Sequence, residues 1–222
     1  MSSSRSIHPP SIASTSSAAK FFSLPIEIRY NIYEQLLVVP HPLHVFQDPG
    51  CPIEVFAPAK PYAWLALIYV NQQISAEART ILYGANRFDF QEMETVRRPP
   101  SLLESFFSCI GPVNAGFLSH ICINFPDTER EAGQLGDIRL RDDGLQRLRV
   151  LQEQCTGLKT LEFLKEDQIK NELVKEVLLD INASVRSIGS LNNIVLRSYS
   201  GPVAPSVREL LQGLGWTVLM GD

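Results

Sequence analysis

The chain has no long hydrophobic run and no excess of basic charge, and each absence excludes a class of protein. No stretch approaches the roughly 18 continuous apolar residues that a membrane-spanning helix needs. Lys and Arg number 20 against 24 Asp and Glu in 222 residues, which gives a formal net charge of −4. The sequence also lacks a basic stripe with interleaved aromatic residues, which is the usual signature of a nucleic-acid-binding surface. The composition therefore predicts a protein that binds neither membrane nor nucleic acid.

Cysteine is scarce and scattered, at positions Cys51, Cys109, Cys122 and Cys155. Two of the four lie in apolar runs, where free thiols usually act as small core residues. With no secretory signal to accompany them, a disulfide framework is not expected and a reducing compartment fits better. We therefore predict a cytoplasmic or nuclear location.

Signatures of catalysis and of metal binding are also scarce. The sequence has neither a phosphate-cradling P-loop nor a G-x-S-x-G nucleophile elbow. His41 and His44, with Cys51 nearby, form the only grouping with metal-ligand character. Structural zinc needs about four ligands in tight pairs, so we interpret this grouping as solvated residues of a loop. The prediction is no catalytic residue, no metal and no cofactor.

Composition divides the chain into three segments. Residues 1–19 are rich in serine and lack acids, which predicts a disordered tail. Residues 20–95 have helical periodicity, interrupted by a proline-rich loop over 40–61 with an edge strand at 53–56. Residues 100–222 alternate between strand and helix patterns.

The first helix has two apolar stripes. One consists of Ile28, Ile32 and Leu36 at a spacing of four residues. The other is a flank made of Ile26, Tyr30, Tyr33 and Leu37. A helix with so broad an apolar surface normally contacts two things. Either both stripes face the protein's own core or one of them faces a partner, and periodicity alone leaves both open. Ser23 is the predicted N-cap, with Pro25 in the first turn.

The second half predicts crossover units and a largely parallel sheet. The predicted strands are Ser119–Phe125, Thr160–Leu164, Asn193–Arg197 and Trp216–Met220. The predicted helices cover 144–154, 167–183 and 206–214. Capping boxes are predicted at Ser101–Glu104 and Ser206–Glu209, a helix cap at Asp142 or Asp143, and a solvated mixed-charge loop before that helix.

A spacing of the form L-x-x-L-x-L begins at Leu118, Leu158 and Leu191. This is the strand segment of a leucine-rich repeat, although its copies lie further apart than the usual repeat of about 20–29 residues. Any buried strand that a leucine precedes shows the same spacing. The spacing indicates at most a degenerate repeat, within a short stacked α/β array.

Four sequence blocks between residues 24 and 123 follow a familiar pattern. LPIEIRYNIYEQLL at 24–37 and VNQQISAEA at 70–78 are similar to LPxEIRxxIYxxLL and VCRQIxxEA, the first two blocks of the fungal F-box-like family. ILYGANRFDF at 81–90 is similar to ILYGxNxFxF, and the region 107–123 to FLxxIGPxNxxxIRxLxI. Gln72 departs from the usual arginine and Asn71 from the frequent cysteine.

This resemblance implies a non-enzymatic substrate receptor with an α+β fold, in which a helical F-box-like part precedes the repeat-like α/β array. In F-box proteins the first helix docks on a Skp-type adaptor of a cullin–RING ubiquitin ligase, and the remainder holds a client protein. Carried over here, the adaptor contacts are Leu24, Pro25, Ile28, Ile32 and Leu36.

Two alternatives stand beside this reading. One is a ligase-independent scaffold or regulatory module, for example a homodimer formed through the same stripe. The other, more remote, is a small enzyme with its site at the carboxyl ends of the strands, built from His120, Cys122 and the acids from Asp127 to Glu131.

Overall fold

The computed structural model describes residues 21–48, 50–58, 60, 63–91, 100–130, 138–165, 175–199 and 201–221. The predicted tail over 1–19 lies outside these residues, as does the first part of the helix predicted over 167–183.

Helices occur throughout the part of the chain that the structure describes. They are α1 (Ile26–Leu37), a 3-10 helix (Trp64–Tyr69), α2 (Gln72–Ala85), α3 (Leu102–Ile110), α4 (Pro112–Phe117), α5 (Asp142–Gln154), α6 (Lys175–Arg186) and α7 (Pro205–Gly213). The strands are β1 (Leu43–Phe46), β2 (Glu54–Phe56), β3 (Arg87–Phe90), β4 (His120–Asn124), β5 (Thr128–Arg130), β6 (Ile138–Leu140), β7 (Thr160–Lys165), β8 (Asn193–Ser198) and β9 (Thr217–Met220).

The fold is α+β, with a mostly parallel sheet of seven strands in the order β2-β1-β3-β4-β7-β8-β9. Among the described strands of this sheet, β1 and β2 at its edge form the one antiparallel pair. This confirms the predicted class and the largely parallel sheet. The sheet also joins the two predicted segments, because β3 pairs with β4 through Phe88 and Ile121.

The two faces of the sheet differ in chemistry. The row formed by Phe88, Ile121, Leu161 and Ile194 crosses four adjacent strands in register. These residues join one hydrophobic cluster with the buried apolar residues of all the described helices. Because successive side chains alternate between faces, the neighbouring row points away from that cluster and contains Asp89, Cys122 and Glu162. Helices therefore cover one face, and a polar row occupies the other.

Local capping signals give mixed results. The capping box at Ser101 and Glu104 is confirmed at the start of α3. The box predicted at Ser206 is wrong, because α7 begins one residue earlier at Pro205 and has Ala204 as its N-cap. Pro25 itself is the N-cap of α1 instead of Ser23, and it makes no side-chain capping bond.

Charged and proline-rich segments contain more regular structure than predicted. Strand β1 lies within the predicted loop over 40–61, beside the expected edge strand β2. Within the predicted mixed-charge loop, β5 and β6 form an antiparallel pair, in which Arg139 lies 2.8 Å from Glu129. The cap predicted at Asp142 or Asp143 is Arg141 instead, and both acids occupy the first turn of α5, where the helix dipole favours negative charge.

Candidate protein-interaction site

The stripe predicted for partner binding lies on the outside of α1. Ile28 is 45% exposed and Leu36 is 48% exposed, while Ile32 between them is half-buried. Just before the helix, Pro25 is exposed and Leu24 is half-buried. The five predicted contact residues therefore lie along one side of α1 and its entrance, and none of them is fully covered.

An adjacent stripe of α1 anchors the helix to the core. Tyr33 and Leu37 are completely buried, and Arg29 is 7% exposed. These residues each follow one position after a member of the outer stripe, so the two stripes are separated by about 100° around the helix. The helix thus has its own core-facing side and does not need the outer stripe to stay in place.

A buried polar network holds α1 against α2. Arg29 donates to both carboxylate oxygens of Glu77, from Nε at 2.9 Å and from Nη2 at 2.8 Å. Its Nη1 donates to the carbonyl of Leu24 at 2.7 Å, and the Tyr33 hydroxyl donates to Glu77 at 2.8 Å. The hydrogen bonds from Arg29 outweigh partial burial and hold the pKa of Glu77 at about 2. The network fixes the Leu-Pro entrance as well as the helix.

A second polar residue ties together the carboxyl ends of both helices. The Asn86 side-chain amide donates to the carbonyls of Leu37, at 3.0 Å, and Leu82, at 2.9 Å. Its oxygen accepts from the backbone N–H of Val39 at 2.9 Å, and the residue is 2% exposed. Asn86 therefore satisfies helix-end groups that have no partner within their own helices.

Sequence reasoning missed the roles of Arg29, Glu77 and Asn86. A signal existed for Arg29, which lies four residues before Tyr33 on the apolar flank. A cation there needs a buried acid, since an unpaired charge inside a core is costly. Pairing it with Glu77, 48 residues later, required the tertiary structure.

The other face of the sheet carries a charged cluster around Glu162, which is 2% exposed. His120 Nε2 lies 3.3 Å from its carboxylate and Arg87 Nη1 lies 3.6 Å away, while Arg197 Nε donates to the other oxygen. Burial alone would raise the pKa of Glu162, but these hydrogen bonds and charges lower it to about 2. The carboxylate is therefore ionised at neutral pH.

The residues suggested for an enzyme do not converge on the carboxyl edge. His120 begins β4 and so lies at its amino end, whereas Asp127 lies beyond its carboxyl end. Cys122 is fully buried, and burial raises the pKa of its thiol far above the ordinary value. His44 lies 3.3 Å from Asp89. Within the described ranges, no three His, Cys, Asp or Glu side chains are grouped to hold a metal.

A groove opens at the amino ends of the central strands. Its volume is about 380 Å³. The lining residues are Val39, Pro40, His41, Pro42, Ala85, Asn86, Arg87, Ser119, His120, Lys159, Thr160, Asn192 and Asn193. The first four follow directly on α1, so the groove adjoins the carboxyl end of the helix that carries the exposed stripe.

Comparison with protein-family models, with curated proteins and with solved structures gives no match for this chain. The resemblance to F-box-like proteins therefore rests on the sequence blocks quoted above. Of the helices that the structure describes, none is long and apolar enough to cross a membrane.

Proposed function

We propose that the chain is a protein-interaction module, an F-box-like substrate receptor that links a client to a Skp–cullin ubiquitin ligase. The observation that supports this proposal is the exposed stripe on α1. Ile28 and Leu36 remain outside although the same helix buries Tyr33 and Leu37 completely. Exposed apolar surface of this kind marks interaction sites more often when it is contiguous than when it is scattered.

The different locations of the polar and apolar motif residues also support the proposal. The polar members of the motif, Arg29, Glu77 and Asn86, are used inside the protein. Its apolar members Ile28 and Leu36 are left outside, where they contribute little to the fold. An apolar pair that the fold does not need is explained if a partner covers it. An adaptor is the partner that the sequence resemblance implies.

Co-purification with a fungal Skp-type adaptor tests the proposal. The chain should form a stable complex, and the double variant Ile28→Asp, Leu36→Asp should weaken it at least thirtyfold, which is about the loss of one interface hot spot. Both changes replace exposed side chains, so the variant should still fold. Val113→Asp is the matched control, because Val113 is 71% exposed on α4.

The outcomes separate the candidate functions. Absence of a complex with the folded wild-type chain would rule out the receptor. If the chain instead shows a concentration-dependent mass that the double variant abolishes, the same stripe forms a homodimer. That result would favour the ligase-independent scaffold or regulatory module.

A further inference from the structure

The groove at the amino ends of the strands has a positive lining in an acidic protein. The ionisable side chains among its described lining residues are Arg87, Lys159, His41 and His120, and none of those lining residues is acidic. The whole chain, by contrast, has a net charge of −4. The charge of the groove lining is therefore opposite in sign to the net charge of the chain.

Neutral donors stand beside these cations. Thr160 supplies a hydroxyl group and exposed Asn192 a side-chain amide, while the amide of exposed Asn193 donates to the Thr160 hydroxyl at 3.5 Å. Ser119 and Asn86 also line the groove, but their side chains already bond to backbone groups of the helix ends. The groove thus combines positive charge with side-chain donors, which is the combination that recognises oxygen anions.

The cluster around Glu162 orients two of these basic side chains. This single carboxylate lies behind the groove and contacts Arg87, His120 and Arg197 together. It is 2% exposed, whereas the side chain of Arg87 is 26% exposed and that of His120 is 31% exposed. Glu162 carries one negative charge against the guanidinium groups of Arg87 and Arg197, of which that of Arg87 lines the groove. Lys159 is exposed and adds a second permanent cation to the lining.

We propose that this groove binds the anionic oxygen groups of an acidic protein segment, either carboxylates or phosphates. Its amino-end position places that segment beside residues 39–42, where the chain leaves α1. A segment held there would lie next to the helix proposed to contact the adaptor. The description of this segment as part of a client rests on the proposed function, but the anion site itself does not.

An amide NMR titration of the chain without adaptor tests the site. Three peptides are added in turn to the isotope-labelled chain. The first alternates glutamate and serine, the second has glutamine in place of glutamate, and the third is the glutamine peptide with phosphoserine in place of serine. An acidic peptide should shift the amide signals of Thr160, Asn192 and Asn193, and the glutamine peptide should not. Binding of the first or the third peptide identifies carboxylate or phosphate as the preferred anion.

Charge reversal locates the interaction. Lys159→Glu should weaken binding of the acidic peptide by about fivefold or more, as expected for reversing one exposed charge beside an anion. Lys175→Glu makes the same change in charge at an exposed position on α6 and should leave the affinity unchanged. The site is refuted if neither acidic peptide binds, if the glutamine peptide binds equally well, or if Lys159→Glu has no effect. Since no adaptor is present, failure here is distinct from failure of the co-purification.

Discussion

At the scale of single residues, the polar members of the sequence blocks at 24–37, 70–78 and 81–90 explain why two helices of modest length stay together. Arg29 and Glu77 form a double hydrogen bond that Tyr33 completes. Asn86 then joins the carboxyl ends of the same two helices. Buried polar groups of this kind fix geometry, because each misplacement leaves a donor or acceptor without a partner.

Replacing Asn86 should therefore destabilise the protein. Asn86→Ala leaves the carbonyls of Leu37 and Leu82 and the N–H of Val39 without their partner, and we expect a loss of about 2 kcal/mol or more in the free energy of unfolding. Urea unfolding measures this change. Asn192→Ala, at an exposed position, should stay within about 0.5 kcal/mol of the wild type. Equal effects from the two variants would contradict the role assigned to Asn86.

At the scale of elements, a capping box predicted the start of a helix correctly where no neighbouring residue favoured a different start. The box at Ser101 and Glu104 depends on atoms within one turn, and it forms as predicted. The apparent box at Ser206 fails because Pro205, which suits a first helical position, starts the helix one residue earlier.

Strand β1 could not be predicted from the residues next to it in the sequence. Prolines at 40 and 42 argue against regular structure, yet the four residues that follow pair with β2 on one side and β3 on the other. The pairing of Leu43 with Phe88 in β3 joins residues that are far apart in the sequence, beyond any local window. Of the candidate site, the outer stripe could be read from its spacing of four residues, but its exposure could not. Exposure depended on where α2 and the sheet lie.

The two stripes of α1 should respond differently to substitution. Leu37→Ala removes a fully buried side chain and should lower the free energy of unfolding by about 2–5 kcal/mol. Ile28→Asp changes an exposed side chain and should alter stability by no more than about 0.5 kcal/mol. Urea unfolding of the isolated chain provides both values. A large loss from Ile28→Asp would mean that the outer stripe belongs to the core, and the adaptor proposal would lose its support.

At the scale of the whole molecule, the ion-paired carboxylates of Glu77 and Glu162 stabilise different parts of one fold. Glu77 joins α1 to α2, and Glu162 joins β3, β4 and β8 across the polar face of the sheet. Alternating strand and helix patterns in the sequence predicted the parallel sheet. They could not predict that an acid in β7 would gather basic side chains from three other strands, because that arrangement depends on the register between strands.

These carboxylates should make the protein sensitive to acid. The pKa of each is about 2 in the folded state, against an ordinary value of 4.5. A depressed pKa means that the stabilisation is fully present above the unfolded value. As pH falls from about 4.5 towards 2, the unfolded chain takes up protons first and stability declines.

The variant Glu162→Gln isolates one of these contributions. At neutral pH it should lower the free energy of unfolding by about 2–3 kcal/mol, since it leaves two half-buried guanidinium groups without their counter-charge. Urea unfolding at a series of pH values should show the gap between variant and wild type shrinking as pH falls through the window from 4.5 to about 2. Glu153→Gln, an exposed position on α5, should follow the wild-type curve throughout. A gap that stays constant with pH would mean that Glu162 stabilises the sheet through its shape and hydrogen bonds and not through its charge.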